Sequence, residues 1–171
     1  MDDSDDARGL AQRVGAALTE REERVAVAET ATGGLVGARL TAEPGASAFL
    51  DRALVPYDYD ALRDLLAVDR ELLDAHGTVS EPVTAALAKA ARDTADATWG
   101  VANTGIAGPG GGTDEKPVGT CFVAVAYAGP WESGDSETTV ERYRFDGDRA
   151  AVRDRLTDQT LANLSAALDE R

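Results

Sequence analysis

Gly105–Pro117 holds five glycines and two prolines within thirteen residues. Such a segment cannot be a helix or a strand: glycine loses the most chain entropy on ordering, and proline lacks an amide donor. An apolar stretch stands on either side of it, Thr98–Gly105 before and Val118–Ala128 after. The break therefore divides the chain into two patterns. Ahead of it, strand-like and helix-like stretches alternate. Behind it, two strand-like stretches are followed by one long helical one. Alternation followed by a strand pair predicts a three-layer α/β/α sandwich, with a mixed sheet and helices on both faces.

The elements follow from periodicity and punctuation. Residues 7–20 carry Leu10, Val14 and Leu18 at helical spacing, with Asp5 or Asp6 as cap. Arg24–Glu29 reads as a buried strand, and Thr32–Leu40 as a helix with Gly33 and Gly34 in its first turn. Pro44-Gly45 marks a turn. Phe49–Tyr57 reads as a second strand bent at Pro56, followed by short helices over 59–66 and 70–75. Ser80 caps a helix that has Pro82 in its first turn and runs to about Ala95. Residues 129–137 form a polar loop, 138–145 a strand, and Asp148–Leu168 an amphipathic helix. The whole chain, 1–171, reads as one domain without repeats or linkers, with residues 1–6 flexible.

Charge excludes one class of partner. The chain carries 31 acidic and 17 basic residues, a net charge of −14, and only Lys89 and Lys116 among its cations are lysines. No basic patch exists to neutralise nucleic-acid phosphates. The acidic surface serves either as a plain solvation shell or as an adaptation to a salt-rich cytoplasm, where ions screen self-repulsion. One cysteine, Cys121, excludes an internal disulfide. No apolar stretch approaches membrane-spanning length, and the acidic start is not a signal peptide, so a soluble cytoplasmic protein is expected.

Ligands in such sheets bind beyond the strand ends, which singles out loops 29–34, 56–60 and 105–117. In Glu29-Thr30-Ala31-Thr32-Gly33-Gly34, hydroxyls and a glycine-opened helix follow a strand. Such an end either offers amides to an anion or an oxyanion, or is a simple cap with close helix–strand packing. The run from Thr104 and Gly105 through Gly108, Gly110, Gly111 and Gly112 to Lys116 matches neither a dinucleotide fingerprint nor a Walker loop. It is either a surface of backbone close to a ligand or a flexible tip. Tyr57 either places a phenol at a strand end or packs against the sheet. The single histidine, His76, has no metal-binding company and sits beside a helix stop at Gly77.

Taken together, these stretches resemble the C-terminal domain of the CinA (competence/damage-inducible) family. The resemblance rests on Ala28-Glu29, Thr32-Gly33-Gly34, Pro44-Gly45-Ala46-Ser47-Ala48, His76-Gly77 with Val79-Ser80-Glu81, Thr104–Pro109, and Glu115–Thr120, with a weaker echo in Tyr143–Arg149. It implies an α/β sandwich and hydrolysis of the carboxamide of nicotinamide mononucleotide, giving nicotinic acid mononucleotide and ammonia. The family's nucleophilic serine then falls on Thr30 and its tyrosine on Tyr57. Its lysine, five residues after that tyrosine, falls on Leu62, and the neighbouring guanidinium of Arg63 cannot replace it as a base. The resemblance implies no metal and no cofactor, a small-molecule nucleotide as ligand, and self-association into a homo-oligomer.

Two functional readings follow. In the first, Thr30 attacks a carboxamide, Tyr57 orients or relays a proton, amides around Thr32–Gly34 hold the oxyanion, and the glycine loop with Lys116 grips phosphate or ribose. In the second, the pocket is kept and catalysis is lost, and the domain binds a nucleotide or a partner. Loss of general-base help costs roughly 10²–10⁴ in rate.

Overall fold

A computed structural model describes residues 3–171, with side chains described from residue 9. The element order is α1 (Asp3–Glu20), β1 (Val25–Glu29), α2 (Leu35–Thr41), a 3₁₀ turn (Ala46–Ala48), β2 (Leu50–Leu54), α3 (Tyr59–Leu66), α4 (Arg70–His76), α5 (Glu81–Ala95), β3 (Trp99–Gly105), β4 (Thr120–Tyr127), β5 (Glu137–Arg144) and α6 (Arg149–Asp169). The five strands form one sheet in the order β2-β1-β3-β4-β5. β1 runs parallel to both β2 and β3, and β4 and β5 are antiparallel additions. The fold is the expected mixed α/β sandwich.

Side-chain size decides which helix lies on which face. Residues alternate across a strand, and β1 reads Val-Ala-Val-Ala from Val25 to Ala28. The valines pack with Val101 and Val125 against α1, α2 and α6. The alanines pack with Ala102, Ala124 and Ala126 against α3, α4 and α5. The small face lets α5 lie close: a Cβ on Gly100 would collide with the backbone oxygen of Ala88 and stand 2.7 Å from the Arg92 Cβ. On the larger face Trp99 is buried, and its indole N–H donates to Glu23 Oε2 at 2.6 Å.

Several boundaries differ from the sequence expectation. α1 begins at Asp3, so Asp5 and Asp6 lie inside it; of the stretch expected to be flexible, residues 1–2 lie outside the described residues. α2 begins at Leu35 rather than Thr32, because Gly33 and Gly34 take left-handed φ values of 62° and 100° and turn the chain before the helix starts. β2 ends at Leu54, where its ladder with Ala28 ends, so Tyr57 lies on the connection and not on a strand. β4 starts at Thr120, since Gly119 at φ 90° pairs with Ile106 and Phe145 as a turn residue. Ser80 occupies the N-cap position of α5 but donates its hydroxyl to the Gly77 carbonyl instead of accepting from the helix.

Candidate active site at the strand ends

The parallel pairing sets Glu29 beside Asn103, so the chain leaves β1 and β3 at the same edge of the sheet. Glu29 is completely buried. Its Oε2 accepts from the Thr32 hydroxyl at 2.6 Å and from the amides of Gly34 at 2.9 Å and Val36 at 3.1 Å. Its Oε1 accepts from the Gly37 amide at 2.8 Å. A carboxylate survives burial when such donors and a helix N-terminus surround it. The left-handed turn at Gly34 aims these amides inward. Glu29 and Thr32, expected to bind ligand, therefore organise the loop from beneath. The Gly34 amide, expected at an oxyanion, is bonded to Glu29 instead.

Above this buried anchor sits Thr30, 6% exposed. Its amide and its hydroxyl both donate to the Asn103 carbonyl at 3.2 Å. The amides of Ala31, Thr32 and Gly33 have no hydrogen-bond partner among the described residues. Gly105 closes the floor: a Cβ there would lie 3.3 Å from that of Ala31 and 2.6 Å from the Cys121 sulfur. The Cys121 thiol is buried, and desolvation pushes its pKa up to about 12.

Two arginines of α6 reach this edge. Arg153 donates from Nε to the Ala31 carbonyl at 3.2 Å and from Nη2 to the Thr32 carbonyl at 2.8 Å. Arg149 donates from Nη1 to the Gly108 carbonyl at 2.8 Å and from Nη2 to the Tyr57 hydroxyl at 3.1 Å. The glycine loop and the β2–α3 connection thus meet over the start of α6, and Arg153 ties the Thr30 loop to the same helix. Tyr57 is 65% exposed.

The rest of the glycine loop has other contacts. A Cβ at Gly108 or Gly112 would stand 2.7 Å or 2.6 Å from Val118 atoms, whereas Gly110 faces open space and Gly111 faces Ile106. Lys116 donates its ammonium to the His76 carbonyl at 2.9 Å, at the α4–α5 junction. It is not placed as a base for Thr30. Thr104 is buried and pairs with the Thr84 hydroxyl at 2.8 Å. Thr84 donates onward to the Ser80 carbonyl at 2.6 Å, so Thr104 is the donor in that pair and belongs to the β3–α5 packing. Leu62 is fully buried in the cluster against α5. Among the described residues, no group of three or more His, Cys, Asp or Glu side chains is arranged for a metal, and no helix is long and apolar enough to cross a membrane.

Asn103 and Arg153 were missing from the sequence reading, and Arg149 stood there only at the end of the Tyr143–Arg149 echo, with no role. The spacing of the two arginines, four residues apart at the start of a helix, was the available signal, since such residues share a face. Nothing in the local pattern marked that face as the one turned to the β1 end.

Comparison with known proteins agrees with this architecture. The family model described as the CinA C-terminal domain matches residues 7–168. A CinA-like protein of Anaeromyxobacter sp. (strain K) is 53% identical over 159 residues, which cover 93% of this chain and 37% of that protein. A CinA-like protein of Chlorobaculum tepidum is 45% identical over 155 residues, covering 90% of this chain and 36% of that protein. The chain thus spans little more than a third of the length of these curated relatives. Among solved structures, the competence/damage-inducible protein CihA of Agrobacterium tumefaciens superposes with a TM-score of 0.88 at 36% identity, covering 96% of each chain. A CinA superfamily protein of Klebsiella pneumoniae superposes with a TM-score of 0.87 at 34% identity, covering 96% of this chain and 99% of that one. By these matches, over nearly its whole length, the chain belongs to the CinA C-terminal domain family.

Proposed function

We propose that the strand-end site is a nicotinamide-nucleotide amidohydrolase-type pocket, which seats the carboxamide of nicotinamide mononucleotide at Thr30. The observation that carries the reading is the Thr30 hydroxyl beside the unpartnered amides of Ala31, Thr32 and Gly33, with Arg153 and the Tyr57–Arg149 pair around it. Thr30 Oγ forms the bond to the carboxamide carbon. The carbonyl oxygen takes the electron pair and is held by the free amides. On collapse the C–N bond breaks, and the hydroxyl proton ends on the departing ammonia, with Tyr57 as relay. Water then hydrolyses the ester and restores Thr30, releasing nicotinic acid mononucleotide. Composition points to a cytoplasmic protein and family resemblance to a self-associating one; sedimentation in high salt checks the second property.

One observation favours a second reading, a nucleotide-binding member without turnover. The Thr30 hydroxyl donates to a backbone carbonyl, which cannot take its proton, and the position of the family lysine is the buried Leu62. Calorimetric titration with nicotinamide mononucleotide and an ammonia-release assay separate the two. Binding with ammonia release that disappears in Thr30→Ala supports hydrolysis. Binding without release selects the silent reading, and absence of binding overturns both.

A further inference from the structure

We propose that Arg142, Arg144 and the Thr120 hydroxyl form a binding site for a phosphate-type oxyanion, separate from the strand-end pocket and independent of the reading given to it. The antiparallel register sets Arg142 opposite Phe122 and Arg144 opposite Thr120. Residues directly opposite in such a pair point to the same face of the sheet, and so do residues two apart on one strand. Thr120, Phe122, Arg142 and Arg144 therefore share one face, with the two arginines about 7 Å apart along β5. The tip of the glycine loop stands over this face. Arg142 donates from Nη2 to the Glu115 carbonyl at 2.9 Å, and its guanidinium carbon lies 5.8 Å from the centre of the Phe122 ring. Between the loop tip and the strands is an open cavity of about 450 Å³, with Asp114, Glu115 and Pro117 on the loop side and Thr120, Arg142 and Arg144 on the strand side.

Two observations point to an anion. Neither arginine forms an ion pair among the described residues, although acidic residues outnumber basic ones 31 to 17. Two like charges thus stand side by side without a counter-ion. Thr120 is 1% exposed, and its hydroxyl is the one buried side-chain polar atom with no hydrogen-bond partner among the described residues. A hydroxyl buried unpaired is costly. An oxyanion seated between the guanidiniums gives the hydroxyl an acceptor and relieves the repulsion at once. Each guanidinium presents its N–H donors in a planar fork that suits phosphate oxygens, and Arg142 spends one of them on Glu115. The Asp114 and Glu115 carboxylates across the cavity oppose an anion, which limits the expected dissociation constant to on the order of 1 mM.

The test is amide NMR of the full chain at constant ionic strength, titrated with inorganic phosphate and, separately, with methyl phosphate. In the wild type, saturating shifts should centre on Thr120, Arg142, Arg144 and Glu115. Tighter binding of methyl phosphate marks a phosphomonoester as the ligand, and tighter binding of inorganic phosphate marks the free ion; either supports the site. Arg144→Gln should weaken binding at least about tenfold, the lower end for a charged hydrogen bond. Thr120→Val keeps the shape without the hydroxyl and should weaken it about 3- to 10-fold. The spectra report folding directly, and Arg144 is exposed, so its variant keeps the test valid if Thr120→Val does not fold. Shifts at these amides that do not saturate, or wild-type affinity in Arg144→Gln, overturn the site. Wild-type affinity in folded Thr120→Val overturns the part given to the hydroxyl. Shifts confined to Ala31, Thr32 and Gly33 would put the anion in the strand-end pocket and overturn this inference alone.

Discussion

Glu29 shows how one residue shapes this site. Its carboxylate gathers one hydroxyl and three amides from the turn and the start of α2, and takes none from Thr30 or from the amides of Ala31–Gly33. Removing it orphans the amides of Gly34, Val36 and Gly37 at once and leaves the Thr32 hydroxyl only Asn103 Oδ1, at 3.1 Å. Glu29→Ala should therefore cost about 3–5 kcal/mol of stability, read from the shift of a denaturant midpoint; a change below 1 kcal/mol, well under that range, would mean the loop is held elsewhere. Cys121 makes a second test at this scale. Burial raises the folded thiol from an ordinary value of 9.0 to about 12. The native protein should resist alkylation by iodoacetamide at pH 8 and react only when unfolded. The linkage has one sign: between pH 9.0 and about 12 the unfolded chain releases the thiol proton and the folded chain keeps it, so stability is fully present below that window and falls as pH rises through it.

At the scale of elements, the alternation of valine and alanine along β1 carries over to β3 and β4 and sorts the helices into two layers. The small face brings the α5 backbone against Gly100, where no side chain has room. Gly100→Ala should cost at least about 1–3 kcal/mol, as overpacking does, because the obstructing Ala88 oxygen belongs to the helix backbone and cannot swing away. Thermal unfolding of this variant beside a surface Gly134→Ala control checks it: Gly134 faces open space, though at φ 78°, so its penalty is backbone strain alone. Equal losses in the two would remove the close approach from the account. Three of the boundaries that differ from the sequence expectation follow the local course of the backbone: glycines with left-handed φ delayed α2 and β4, and the end of a ladder shortened β2.

For the whole molecule, a net charge of −14 spread over 171 residues makes compaction work against repulsion. Raising potassium chloride from about 0.1 M to about 1 M shortens the screening length from about 10 Å to about 3 Å, so the unfolding temperature should rise. An unfolding temperature that stays flat across that range would mean that the acidic surface does not limit stability.

The order of strands and helices, the mixed sheet, the buried β1 and β3 ends and the irregular glycine loop were legible in the chain, because periodicity, glycine and proline act locally and leave local marks. The inward turn of Glu29, the placement of Lys116 at the α4–α5 junction and the arrival of Arg149 and Arg153 at the site were not. Each depends on segments far apart in sequence meeting at one edge, with Arg153 lying 122 residues from the carbonyl of Ala31 that it holds. Local pattern determined which elements form. Which side chains share the strand-end site was decided only when the sheet brought β1, β3 and the start of α6 together, since hydrogen-bond geometry between distant residues has no counterpart in their spacing along the chain.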